Sequence, residues 1–125
     1  MKLSILKKPR IFRVGEKKTL LKDFGKIFLQ NDEMISFNFS KKDDYDFTKK
    51  SWGFYVSQSI EQRMKSNNFT LFLVKNISSS RFYFLARYKG KESEFKNYLK
   101  QEKIKIVVEF SKKNLVKIEK SFRTS

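Results

Sequence analysis

The stretch with the richest chemistry runs from residue 46 to 64, DFTKKSWGFYVSQSIEQRM. Lys49 and Lys50 bring positive charge, and Trp52 and Tyr55 offer aromatic faces. Ser57 and Ser59 offer hydroxyls at a predicted helix start, and Arg63 lies one turn further on. Free N–H groups in a first helical turn attract anions, and the helix dipole adds to the effect. Cations, donors and an aromatic wall within one short stretch suit a phosphate, a carboxylate or a sugar phosphate. The seven residues Lys49, Lys50, Trp52, Tyr55, Ser57, Ser59 and Arg63 are therefore the candidate ligand-binding set. The bland alternative assigns the aromatics to the core, with Trp52 packed over the helix start, the serines to helix caps and the cations to solvent.

Other chemistries are thinly supported. The chain has no Cys and no His, which removes thiolate zinc sites and histidine acid–base pairs. Phosphate-loop and dinucleotide fingerprints are absent, so no cofactor is expected. Asp43, Asp44 and Asp46 cluster, but they lack the spacing, the central Gly and the closing Glu of a calcium loop. They read as a turn facing Lys41 and Lys42. A small enzyme built on Asp46 with Arg63 or Tyr55 is the weakest alternative, and no catalytic residue is assigned.

The 125 residues carry 29 Lys and Arg against 13 Asp and Glu, a formal charge of +16. Such an excess is an electrostatic footprint for RNA, DNA or another polyanion. The excess is mostly lysine, 23 against 6 arginines, beside one Ala and one Pro. AT-rich codon usage produces that bias too, and phosphate readers favour the planar arginine fork. Charge alone does not decide between the two. No apolar run reaches the ~18 residues that would span a bilayer. The basic start MKLSILKKPRIF has too short an apolar run for a secretory signal. The expectation is a cytoplasmic protein without membrane insertion.

The elements that must position these residues can be read from periodicity. A short strand is predicted at 10–14 and a loop at GEKKT. A hairpin pairs 26–30 with 34–40 through a turn at Asn31-Asp32, because Ile35, Phe37 and Phe39 alternate with polar residues. A third strand lies near 45–49. Ser59 to Gln62 fits a capping box, with Ser57 as a rival cap, for a short helix over 57–66. Strands follow at 69–76 and 81–88, both apolar on two faces, so they lie centrally or meet a partner. A helix at 91–101, a strand at 103–110 and a basic, partly helical tail at 111–125 complete the chain. The prediction is one α+β domain over 1–125, with a folded core at 8–110: an N-terminal β-meander, then two short helices and strands in ferredoxin-like β-α-β-β-α-β order.

That order also invites comparison with the RNA-recognition motif. On residues 81–88 its signature fits Arg81, Tyr83 and Tyr88. Phe82 and Phe84 stand where small residues should let a base approach, so Phe82, Phe84 and Leu85 read better as sheet core. Tyr83, Arg87 and Tyr88 are the residues of this strand that can still face a ligand.

YDFTKKSWGFY (45–55), Ser59, Arg63, LVKN (73–76) and EFKNYLKQEK (94–103) together resemble a family of small uncharacterised bacterial proteins. Its genes often lie beside surface-polysaccharide biosynthesis genes. The resemblance spans about residues 8–110. VSQ stands between Tyr55 and Ser59 where the family pattern has a small residue and Pro. The resemblance implies a bacterial accessory role and singles out Tyr45, Asp46, Trp52, Gly53, Phe54, Tyr55, Ser59, Arg63, Lys75 and Asn76. Two functional expectations follow. One is a non-catalytic protein that binds an anionic ligand, either a nucleic acid or a phosphorylated sugar or nucleotide. The other is an accessory or scaffold subunit for glycan-biosynthesis enzymes, with strands 69–74 and 82–88 as a homodimer or partner interface.

Overall fold

The computed structural model describes residues 1–40, 43–56 and 68–123, without the side chains of Ser40, Asp43, Asp44 and Arg123. The protein is α+β. Its described elements are β1 (Lys2–Val14), β2 (Thr19–Phe28), β3 (Met34–Ser40), β4 (Asp43–Lys50), β5 (Gly53–Tyr55), β6 (Phe69–Asn76), β7 (Phe82–Tyr88), α1 (Glu92–Gln101), β8 (Ile104–Glu109) and α2 (Lys112–Arg123). The described residues form three sheets, in the orders β1-β2, β3-β4-β5 and β7-β6-β8. The chain falls into two compact units, Met1–Phe37 with Asp46–Ser57, and Asn38–Tyr45 with Gln58–Ser125.

The first unit is dominated by the antiparallel β1–β2 ribbon. Its turn is closed by the Lys18 N–H, which donates to the Gly15 carbonyl at 3.1 Å. The strand predicted at 10–14 is longer than periodicity suggests, because it continues past Pro9 to Lys2. Pro9 is accommodated where the register breaks between Ile5 and Arg10, the kind of irregularity at which a sheet tolerates proline. Opposite that break Gly25 has φ +137°, and a Cβ there would stand 2.0 Å from the Ser4 carbonyl oxygen. Beside it, the Gly25 N–H donates to Asp23 Oδ1 at 3.0 Å, and Arg10 Nη2 donates to Asp23 Oδ2 at 2.9 Å. The backbone donor first, and Arg10 after it, hold the Asp23 carboxyl below its ordinary value. The ribbon gains from the ionised carboxylate above the ordinary carboxyl range and loses that gain as pH falls through the lowered value.

The predicted hairpin between 26–30 and 34–40 does not form. β2 pairs with β1, and β3 neighbours β4. The turn itself exists, with Asp32 at φ 68°, but it serves another strand. The Asp32 N–H donates to the Lys49 carbonyl at 2.7 Å, and the Lys49 N–H donates to the Glu33 carbonyl at 3.0 Å. Residue types mark a turn well. Which strands it joins depends on contacts distant in sequence.

In the second unit β6 is central, antiparallel to β7 on one side and β8 on the other. Neighbouring side chains alternate between the two faces of a strand. One face carries Thr70, Phe72, Val74 and Asn76. α1 covers it through Phe95, whose ring lies 4.9 Å from that of Phe72. Phe72 and Val74 are 1% and 0% exposed, the buried apolar side chains among the described residues. Burial of each contributes about 1.5–3 kcal/mol. Glu92 and Glu94 stand in the first turn of α1, where the dipole favours them. Asn76 ties the β6–β7 loop to the helix end: its Oδ1 accepts from the Ser79 N–H at 2.8 Å, and its Nδ2 donates to the Glu102 carbonyl at 2.9 Å. The described strands do not complete a ferredoxin-like order, since β5 pairs with β4 and β8 pairs with β6. The helix expected at 57–66 lies outside the described residues. The expected helical tail is α2, half-buried at Leu115 and Ile118.

Phe72→Ala is expected to cost about 3–5 kcal/mol, read as a fall in the urea midpoint at unchanged slope.

Candidate nucleic-acid interface

Residues 49–56 occupy the β4–β5 hairpin. Lys50 pairs with Gly53, Lys49 with Phe54 and Thr48 with Tyr55. Ser51 and Trp52 are thus the two residues of a tight turn. Gly53 adopts φ +146° beyond it, and a Cβ there would meet nothing within 4 Å. The glycine serves the backbone angle rather than a close approach.

Trp52 does not pack into a core. It is 67% exposed at the turn tip, and its described ring neighbour is Tyr55, edge-on at 5.6 Å. A two-residue turn holds its side chains away from the strands' packed faces, which overrides the usual cost of exposing indole. The lysines of the same hairpin face the 30–33 turn. Lys49 Nζ donates to Asn31 Oδ1 at 2.7 Å, and Lys50 Nζ pairs with Asp32. The hydrogen bond from Lys50 to Asp32, and then the carboxylate's charge, raise the Lys50 pKa. The structure therefore brings Lys49, Lys50, Trp52 and Tyr55 onto one hairpin, with Lys50 already partnered by an acid. Ser57, Ser59 and Arg63 lie outside the described residues. So do the side chains of Asp43 and Asp44, while Asp46 accepts a hydrogen bond from Ser36 Oγ at 2.6 Å.

A second surface is richer. It is the face of the β7-β6-β8 sheet opposite α1. Register sets its rows: Phe82, Lys75 and Lys105 stand abreast, then Phe84, Leu73 and Val108. Phe84 is 73% exposed and Phe82 56%. Lys75 Nζ lies 5.3 Å from the Phe82 ring centre, and the Phe110 ring is 6.1 Å from that of Phe84. The strand acid of this sheet, Glu109, pairs with Phe72 on the helix-covered face. Among the described strand residues, the open face carries three phenylalanines, Phe69, Phe82 and Phe84, with two lysines and no carboxylate.

The far end of this face is closed by aromatics of the same unit. Phe39 stacks on Tyr88 at 4.4 Å, and Phe69 receives Tyr88 at 5.4 Å and Tyr45 at 5.3 Å. The assignment of Phe82 and Phe84 to the core is corrected, since both rings are more than half exposed. Arg87 and Tyr83, two of the residues expected to be able to face a ligand, sit on the helix side. The Arg87 guanidinium lies 5.1 Å from the Phe72 ring and 5.9 Å from the Phe95 ring, with a nitrogen 3.8 Å from Glu92. Tyr88 is held by Phe39. Lys105, and Lys75 beyond its place in the resemblance, were not in the candidate ligand-binding set, because strand lysines look like solvated charge until their row-mates are known.

Exposed aromatic rings beside lysines can stack planar bases and neutralise phosphates.

Trp52 should emit as a solvent-exposed indole, with free access to a neutral quencher such as acrylamide. A blue-shifted, shielded emission would contradict the turn-tip placement.

Comparison of the chain with family models, with curated proteins and with solved structures returned no match.

Proposed function

We propose that this protein is a non-catalytic binder of nucleic acid that takes single-stranded RNA or DNA on the open face of the β7-β6-β8 sheet. The observation that carries the reading is the row structure of that face. Phe82 and Phe84 are exposed next to Lys75 and Lys105, with the sheet's acid on the opposite side. A formal charge of +16 supplies long-range attraction. The reading does not depend on a ferredoxin-like order. It needs one face covered by a helix and one left open. Phe84 and Phe82 stack bases, Lys75 and Lys105 hold phosphates, and the Trp52–Tyr55 hairpin is a separate aromatic feature of the other unit.

The test is fluorescence anisotropy of a labelled mixed-sequence single strand. Affinity is expected to fall steeply with salt, and Lys75→Ala should flatten that slope by about 0.7. Phe84→Ala should weaken binding by about 1–3 kcal/mol while Trp52→Ala leaves it unchanged. Competition by a mononucleotide or sugar phosphate at low concentration would favour the small-ligand form of the reading instead. No binding to any of these would defeat it.

A second reading draws on the same exposed row. Phe84, Leu73 and Val108 form an apolar strip on an open sheet face, which a protein partner or a second copy would also cover. That is the accessory or scaffold role. It predicts a co-purifying protein or a concentration-dependent dimer, lost with Phe84→Ala, and no salt-dependent binding of single strands. A bacterial, cytoplasmic setting beside surface-glycan enzymes belongs to this second reading.

A further inference from the structure

The β1–β2 ribbon has a surface that nucleic-acid binding leaves unused. In its tip half, Phe12, Val14 and Leu21 share one face with the Arg10–Asp23 pair, by the register Phe12 to Leu21 and Arg10 to Asp23. In its base half, Leu3, Ile5 and Ile27 share a face. These six apolar side chains are 40–65% exposed. A two-stranded ribbon is marginal in water without a covered face, so these residues call for a cover.

Charge selects among the possible covers. Residues 2–28 carry nine basic side chains against two acidic ones, a net of +7. One of those acids, Asp23, is bonded to Arg10 within the ribbon. Lys17 and Lys18 lie in the turn, and Lys7 and Lys8 lie in the register break, so lysines occur at the tip and at the middle of the ribbon. A second copy laid on the ribbon would bring like charges together at short range. A nucleic acid would meet the lysines but offer nothing to Leu3, Ile5 or Val14. A surface that is apolar beneath and anionic at its rim satisfies both sets.

We propose that the β1–β2 ribbon docks on an anionic lipid bilayer. Its apolar face enters the headgroup boundary, and Lys7, Lys8, Lys17 and Lys18 extend to lipid phosphates in the manner of long cationic side chains at interfaces. No helix of the described residues is long and apolar enough to cross a membrane, and this docking is peripheral.

The experiment is flotation of the full chain with two kinds of vesicle, phosphatidylcholine alone and an equal mixture of phosphatidylcholine with phosphatidylglycerol. The chain is expected to float with the mixed vesicles only, and less so as salt rises. Lys7→Gln with Lys8→Gln, both exposed, should weaken that binding roughly thirtyfold. Ile5→Ser should weaken it too, with the fold checked by circular dichroism. Phe84→Ala should leave it intact, so failure here and failure of nucleic-acid binding are told apart. Equal flotation with both vesicles, or a lysine variant that floats unchanged, would overturn the proposal. Flotation with neither would also overturn it and would point to an acidic protein as the cover.

Discussion

The second unit depends on the packing of Phe72. Its ring lies beneath Phe95 of α1, with the Arg87 guanidinium beside both rings. This contact fixes which face of the three-stranded sheet the helix covers. Because α1 covers one face, side chains of alternate parity on β6, β7 and β8 are left on the other. Phe84 and Phe82 are exposed as a consequence of where Phe72 is buried. Asn76 reinforces the arrangement by tying the β6–β7 loop to the end of α1. The open face is thus a product of the packing that stabilises the unit.

Charge placement follows from the same parity. Lys75 and Lys105 stand abreast of Phe82, while Glu109 pairs with Phe72. A one-residue change of register would exchange the two sets. The bulge in β8, between the partners of Leu73 and Val74, keeps Lys105 and Val108 on the open face together. In the first unit the lysines are used differently. Lys49 and Lys50 hold the 30–33 turn against β4, so cations that look available in sequence are partly occupied by structure.

Much of the second unit was legible in sequence. The strands at 69–76 and 81–88, the helix at 91–101 and the strand at 103–110 lie within a residue or so of β6, β7, α1 and β8. Alternation, first-turn acids and turn residues are local signals, and they sufficed there. The pairing of 26–30 with 34–40 was illegible because a turn signal does not name its strands. The bland alternative, Trp52 as core, failed because burial of indole is a general tendency, and a two-residue turn is a local exception. Phe82 and Phe84 misled for a subtler reason. A strand apolar on both faces gives no hint of which face a single helix will cover. Of the candidate site, Lys49, Lys50, Trp52 and Tyr55 were found on one hairpin. The more open surface draws on Lys75 and Lys105, whose placement appears only once register sets them beside exposed rings.

The most direct test of the account is a heteronuclear NMR titration of the full chain with a short single-stranded oligonucleotide, following backbone amides and aromatic ring protons. The account predicts that the Phe82 and Phe84 rings and the Lys75 and Lys105 amides shift together and saturate, while Phe72 and Phe95 stay in place. Shifts confined to the β4–β5 hairpin, or a uniform small drift that vanishes with added salt, would contradict it.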